Sequence, residues 1–148
     1  MLALRVNHHD HQLKKLKVEA SIERLDEVID FVNAELESNM CPPDIQNQID
    51  VAVDEIFTNI ASYAYTSKKG NAEISIAARD EILLIFEDSG IPYNPLEHVP
   101  PDLDKPLIER DMGGLGIFLT KQFMDKVDYT RLNDKNILTM YKKIYTAS

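Results

Sequence analysis

The chain has 148 residues, a length that suits one domain spanning residues 1–148. Its formal net charge is −9, and a field of that sign repels phosphate backbones, which argues against nucleic-acid binding. No apolar run approaches the roughly 20 residues that span a bilayer, and the N-terminus lacks the apolar core of an export signal. We therefore expect no membrane association. The single cysteine, Cys41, permits no disulfide within the chain; we expect it to be buried and inert in a reducing, cytoplasmic compartment.

The first half of the chain predicts one strand and two helices. Apolar residues between polar ones predict a strand over 12–19, and from Ser21, a plausible N-cap, apolar residues recur every three or four positions. This first helix should stop before Cys41, which precedes Pro42 and Pro43. A second, longer helix is predicted over 43–65, with one apolar stripe.

The second half predicts four more strands and a third helix. Strands are expected at 72–79, 81–87, 127–132 and 136–144, with the helix beginning after the glycines that precede Ile117. Residues 88–112 hold five of the seven prolines, and a long irregular stretch of this kind is commonly a lid or a binding loop. The order predicts an α+β fold: a two-layer α/β sandwich with a mixed, mostly antiparallel sheet and helices on one face.

A carboxylate and an amide share one face of the second predicted helix. Glu55 and Asn59 are four residues apart, at the edge of the apolar stripe. A carboxylate there can accept a proton from an attacking hydroxyl, and an amide oxygen one turn later can ligate Mg²⁺. Taken alone, the pair is more typical of a solvated helix surface.

The apolar strand over 81–87 is followed by Asp88 and then by Gly90. A buried carboxylate at a strand end can accept a hydrogen bond from an exocyclic amine, as on adenine, and the glycine allows a ring to approach closely. An ordinary strand-terminating turn has the same pattern.

Three glycines, Gly113, Gly114 and Gly116, surround Leu115 just before the third predicted helix. They allow close backbone approach, and a helix N-terminus offers unpaired N–H groups to phosphates. The pattern is not a Walker loop, because no Gly-Lys-Ser/Thr follows. A flexible hinge before a helix is the alternative interpretation.

In this order, the three motifs resemble the N, G1 and G2 boxes of the GHKL (Bergerat-fold) ATPases. The resemblance covers roughly residues 10–145 and is strongest to the short bacterial anti-sigma-factor serine kinases, in the segments VAVDEIFTNIASYAY, DSGIPYNP and ERDMGGLGIFL. It implies an ATP lid at about 91–112. Pro92 stands where histidine kinases have a second glycine, which favours the anti-sigma branch.

The resemblance also implies roles for individual residues. Glu55 would be the general base and Asn59 the ligand of Mg²⁺. Asp88 and Gly90 would form the adenine pocket, and Arg110 would contact the terminal phosphate or the phosphoacceptor. The phosphate-binding backbone would comprise Gly113, Gly114, Leu115 and Gly116. Tyr63 could line the nucleotide, but we expect it in the core.

The implied function is an ATP-dependent protein serine/threonine kinase that phosphorylates a small STAS-domain antagonist and otherwise holds a sigma factor. The implied assembly is a homodimer, and the edge strand that carries Lys14, Lys15 and Lys17 could pair with a second copy. Two alternatives remain: an ATP-binding module that sequesters a partner without catalysis, and the detached catalytic domain of a histidine-kinase-like system.

Overall fold

The computed structural model describes residues 13–97 and 112–144, with backbone alone at 112–114. These residues form a five-stranded sheet and a layer of helices. The α-helices are α1 (Leu25–Ser38), α2 (Pro43–Tyr63) and α3 (Met112–Phe123). The strands are β1 (Lys14–Glu19), β2 (Asn71–Ala78), β3 (Glu81–Asp88), β4 (Lys126–Leu132) and β5 (Lys135–Lys143).

The strands lie in the order β1-β2-β3-β5-β4, and each of these neighbouring pairs is antiparallel. The predicted α+β fold is confirmed, although the parallel pair that a mixed sheet would contain is not among the described strands. β3 lies at the centre of the sheet, where Asp88 is opposite Ala72 of β2 on one side and Asn136 of β5 on the other. Asp88 therefore lies at the end of the central strand, between β2 and β5.

A single hydrophobic core lies between the two layers. Alternate residues of β2 and β3 point into it because side chains of a strand alternate between faces. The apolar stripes of the helices cover this face of the sheet. The largest fully buried side chains of the core are Phe57, Phe86, Leu36, Ile49, Ile74, Ile76, Ile82, Leu84, Ile117, Met140, Val28 and Val32.

The predicted start of the first helix differs from the observed one. Ser21 makes no side-chain cap, and a 3₁₀ turn over Ile22–Arg24 precedes the α-helix. The Ser21 hydroxyl donates instead to the Glu23 carboxylate at 2.9 Å, and its oxygen accepts from no backbone amide of the first turn.

The junction between α1 and α2 contains Cys41. Its side chain is buried, as predicted, and burial followed by the nearby Asp44 charge raises the pKa of the thiol. A raised pKa lowers the thiolate fraction, which makes this cysteine a poor nucleophile. Pro43 occupies the first turn of α2, where a missing N–H costs nothing.

The lysines Lys14, Lys15 and Lys17 lie on β1, an edge strand of the described sheet. Lys14 forms an ion pair with Glu35 of α1 at 3.2 Å. In the part of the chain that the structure describes, no helix combines the length and the apolar character needed to cross a membrane.

Candidate functional site

Helix α2 presents Glu55 and Asn59 side by side. The Asn59 amide donates from Nδ2 to Glu55 Oε2 at 2.9 Å, and the Asn59 side chain is buried. Because the amide nitrogen points to the carboxylate, the amide oxygen Oδ1 points away from it. Oδ1 is a hard oxygen donor of the type that Mg²⁺ prefers.

Asp88 ends the central strand and is 7% exposed. Its Oδ1 accepts hydrogen bonds from the backbone N–H of Gly90 and from Asn136 Nδ2, each at 2.9 Å. Both contacts fall on the same oxygen, so Oδ2 is the oxygen left to accept from a further donor.

Gly90 packs directly against the end of α2. A Cβ at this position would overlap the backbone carbonyl of Ala64, and the next residue, Ile91, donates its N–H to the same carbonyl at 2.9 Å. The turn after β3 is therefore fixed to the helix that carries Glu55, and a side chain at position 90 would push the two apart.

A small pocket, partly open to solvent, lies between α2 and the sheet. Its walls are mainly apolar, with Asn59, Asp88 and Asn136 among the polar groups. The lining residues are Ile56, Asn59, Ile60, Ala64, Phe86, Asp88, Tyr93, Pro95, Tyr129, Asn136 and Leu138.

The glycines of the third motif lie inside α3, which begins at Met112 rather than after them. A Cβ at Gly116 would overlap the Glu55 carboxylate, so this glycine allows α3 to approach α2 closely. Helical N–H groups are unpaired only in the first turn. The N–H groups of Gly113 and Gly114 lie in the first turn of α3 and are therefore available to a ligand. Those of the half-buried Leu115 and Gly116 come later in the helix.

The structure thus places Gly116 against Glu55, and it places Asn59 and Asp88 in one pocket, beside the turn that contains Gly90. Glu55 to Ala64 is nine residues of helix, which spans roughly 13 Å. Along that length α2 contacts Gly116 near one end and Gly90 at the other.

Arg110 and most of the predicted lid lie outside the described residues. Within 91–97 the chain makes a 3₁₀ turn over Pro95–Glu97. Lys121 of α3 donates to the Leu96 carbonyl at 3.0 Å. The prediction of a core Tyr63 is wrong: its side chain is 52% exposed, and its ring lies 5.7 Å from that of Tyr93, which lines the pocket.

Sequence reasoning missed Asn136 and Tyr65. Tyr65 links two loops, since its hydroxyl donates to the Asn71 carbonyl at 2.7 Å and accepts from Ser89 N–H at 2.9 Å. Burial, with a smaller effect of the Asp88 charge, raises the pKa of this phenol, so it stays a donor at neutral pH. No local pattern in the sequence marks either residue, because both act through contacts distant in the chain.

Comparison with known proteins agrees with this architecture. The fold and the order of the motifs define a GHKL-type ATPase domain. The family model described as a histidine kinase-like ATPase domain matches residues 18–142, and the chain belongs to that family, in the branch that includes the anti-sigma F factors.

Three relatives illustrate the assignment. The serine/threonine-protein kinase BtrW of Bordetella bronchiseptica is 32% identical over 93 residues, 61% of this chain and 65% of that protein, so the match spans slightly less than two thirds of that relative's length. An anti-sigma F factor of Clostridium kluyveri is 31% identical over 103 residues, 67% of this chain and 70% of the relative. A crystal structure of the RsbU and RsbW domains of a Mycobacterium tuberculosis protein shares the fold, with a TM-score of 0.60 at 11% identity over 91% of this chain and 34% of that one.

Proposed function

We propose that this protein is an ATP- and Mg²⁺-dependent protein serine/threonine kinase that acts as an anti-sigma factor in the cytoplasm. Its substrate would be a small STAS-domain antagonist, and its second partner a sigma factor. The observation that carries the proposal is the position of Glu55, whose carboxylate accepts from Asn59 Nδ2 at 2.9 Å and lies against Gly116. The family implies ATP as the ligand, and the names of the relatives support the kinase activity.

The adenine base would occupy the pocket between α2 and the sheet. Asp88 Oδ2 would accept a hydrogen bond from the adenine amine, and the apolar walls, such as Ile60 and Leu138, would contact the ring faces. Gly90 keeps the turn after β3 close to α2 without filling the pocket.

The phosphates would lie between α2 and the first turn of α3. The N–H groups at Gly113 and Gly114, with the positive end of the helix dipole, suit phosphate oxygens. The residues present also fit Mg²⁺, since Asn59 Oδ1 points away from Glu55 and is a hard oxygen donor. When bound, Mg²⁺ supplies charge neutralisation on the phosphates. Arg110 is the proposed contact of the terminal phosphate.

Glu55 would act as the general base. A serine or threonine hydroxyl of the partner would lose its proton to the carboxylate as its oxygen attacks the γ-phosphorus. The bond from that phosphorus to the oxygen bridging the β-phosphate breaks, and ADP leaves. Asn59 holds the carboxylate in place by its 2.9 Å hydrogen bond, which is the positioning that phosphoryl transfer chiefly requires.

The test is transfer of labelled phosphate from ATP to a STAS-domain protein. Glu55→Gln should lower the rate by about 10²–10⁴-fold while ATP affinity stays near that of the unmutated protein. Asp54→Asn is the matched control, because Asp54 is exposed, contacts Thr58 at 3.1 Å and is the adjacent residue. An acid-stable phosphate on the partner identifies serine or threonine.

Absence of transfer by the unmutated protein, with ATP binding intact, would refute the kinase and favour the partner-sequestering module. An acid-labile phosphate would instead favour the histidine-kinase-like reaction.

We further propose a homodimer that uses the β1 edge. The described sheet ends at this strand, and its lysines would face those of a second copy, so screening by salt should strengthen the association. Sedimentation equilibrium at low and high salt tests this, and a monomer at all concentrations would contradict it.

A further inference from the structure

Asn136 is a buried polar residue that contacts both Asp88 and the turn after β3. It lies on β5, directly opposite Asp88 in the register of the sheet, and is 6% exposed. Its Nδ2 donates to Asp88 Oδ1 at 2.9 Å and to the Ile91 carbonyl at 2.8 Å. Both N–H groups of the amide are therefore in use.

The orientation of this amide is fixed by its other end. Asn136 Oδ1 accepts from the Tyr129 hydroxyl, from Arg131 Nη1 at 3.2 Å and from the Tyr93 backbone N–H at 3.3 Å. Arg131 and the Tyr93 N–H can only donate, so an inverted amide would direct its NH₂ group at two donors and its oxygen at two acceptors, Asp88 Oδ1 and the Ile91 carbonyl. Asn136 can therefore act only as a donor toward Asp88.

The fixed orientation of the Asn136 amide determines which oxygen of Asp88 is available. Oδ1 already accepts from Gly90 N–H and from Asn136 Nδ2, and rotating the carboxylate would give up both bonds in a buried site. Leaving such buried groups unpaired is unfavourable. Oδ2 is thus held as the acceptor of the pocket.

The same network fixes the backbone beside the pocket. Arg131 Nη1 donates to the Gly90 carbonyl at 2.8 Å as well as to Asn136, and Asn136 holds the next carbonyl, that of Ile91. The charged groups that face Asn136 are Asp88 from β3 and Arg131 from β4.

We infer that Asn136 is a positioning residue for nucleobase selection, which rests on the proposed function. By keeping Asp88 as a fixed acceptor, it makes the pocket accept the 6-amine of adenine. Guanine has a carbonyl oxygen at that position, which would face another acceptor. A site built to pair with a donor rejects a ligand that lacks it.

The test is Asn136→Asp, which preserves size and keeps an acceptor for Tyr129 and Arg131 but replaces the donor toward Asp88 by an oxygen. Calorimetry with Mg·ATP and Mg·GTP should show the preference for ATP reduced by about tenfold or more, since each tenfold corresponds to 1.4 kcal/mol, about one hydrogen bond. Two facing carboxylates share a proton at low pH. Lowering the pH from 8.5 to 5.5 should therefore restore ATP affinity in this variant.

Asn133→Asp is the matched control. It makes the same chemical change three residues earlier, in the exposed turn between β4 and β5, where Asn133 has a φ of 52°. This variant should keep the affinities and the pH profile of the unmutated protein. Thermal melts should accompany each titration.

The outcomes separate the two proposals. If the unmutated protein binds no Mg·ATP, the proposed function fails, and this inference fails with it. If it binds, and Asn136→Asp retains its ATP preference, or loses ATP and GTP affinity equally without recovery in acid, then only the inference fails. Should Asn136→Asp not fold, Asn136→Thr replaces it: a shorter hydroxyl cannot reach both Asp88 and Ile91, so unchanged ATP preference in that variant would also overturn the inference.

Discussion

Two glycines near the pocket meet neighbours of different stiffness. A Cβ at Gly116 would overlap the end of the flexible Glu55 side chain, whereas a Cβ at Gly90 would overlap the backbone carbonyl of Ala64. A side chain can rotate away at small cost, but a backbone held by a hydrogen bond cannot. The two positions should therefore respond differently to the same substitution.

We expect Gly116→Ala to abolish most phosphate transfer while the melting temperature stays close to its original value. The added methyl displaces the Glu55 carboxylate from Asn59, and alanine favours a helix interior over glycine by about 1 kcal/mol, which offsets the crowding.

Gly90→Ala should instead lower the free energy of unfolding by about 1–3 kcal/mol, as overpacking does. Melting curves beside transfer assays check both, and a Gly116→Ala protein with normal transfer would contradict the first expectation.

At this scale the sequence predicts only what local geometry determines. Glu55 and Asn59 could be paired in advance because residues four apart share a helix face. Asn136 could not be paired with Asp88, since they are 48 positions apart and meet only through the register of β3 with β5. Tyr63 has the apolar character of a core residue, and its exposure depends on where α2 ends relative to Tyr93.

At the scale of elements, α1 ends in a way that its sequence does not favour. Cys41 N–H donates to the Leu36 carbonyl at 3.0 Å and Met40 N–H to that of Glu37 at 3.1 Å, the hydrogen-bond pattern of a Schellman motif. The left-handed position of this motif is usually glycine, but here it is Met40, with φ of 59° and an 82% exposed side chain. The sequence predicted an end before Cys41 and could not reveal this cap.

Met40→Gly should raise the free energy of unfolding by about 0.5–1 kcal/mol. The left-handed conformation costs an L-residue roughly 1–2 kcal/mol, and part of the gain is offset because glycine is more disordered when unfolded. Chemical denaturation measures the change. Met40→Ala removes the side chain but keeps the strained backbone, so it should have little effect; an equal gain in both variants would contradict the explanation.

The packing of α1 on α2 includes a carboxylate in an unfavourable setting. Asn33 Nδ2 donates to Asp50 Oδ2 at 3.4 Å. Asn33 Oδ1 and Asp50 Oδ1 are buried and have no hydrogen-bond partner among the described residues. Burial raises the pKa of Asp50; the Asn33 bond opposes this, and the charge of Glu37 adds to it.

Asp50→Asn should stabilise the protein at neutral pH, because it removes a charge that burial disfavours. The gain should be only a few tenths to about 1 kcal/mol, since the site is partly solvated and its charges are screened. A raised folded pKa means that ionisation weakens folding, so Asp50 costs stability above that pKa and not below its unfolded value of 3.8. The advantage of asparagine should therefore shrink as the pH falls toward 3.8. Asp30→Asn, an exposed change on α1, is the control, and an advantage that grew in acid would refute the argument.

At the scale of the whole molecule, periodicity was enough to predict the two layers. Alternating and helical patterns identified which residues face the core, and the α+β fold follows from their order. Strand order was beyond the sequence, because placing β5 between β3 and β4 depends on the packing of the complete sheet. The pocket is a product of that order, since Asp88 and Asn136 share it with Ile56 and Asn59 of α2.

Because the pocket exists only when both layers are assembled, its ligand should stabilise the entire domain. A ligand that binds the folded state alone adds about 2.7 kcal/mol at 100 times its Kd, which corresponds to a rise in Tm of roughly 5–10 °C for a chain of this size. We expect this rise with Mg·ATP and a much smaller one with Mg·GTP at the same concentration. Asp88→Asn provides the comparison: its amide oxygen can still accept from Gly90 and Asn136, but its NH₂ group would face the adenine amine. An ATP-induced shift as large in that variant as in the unmutated protein would show that Asp88 does not read the base.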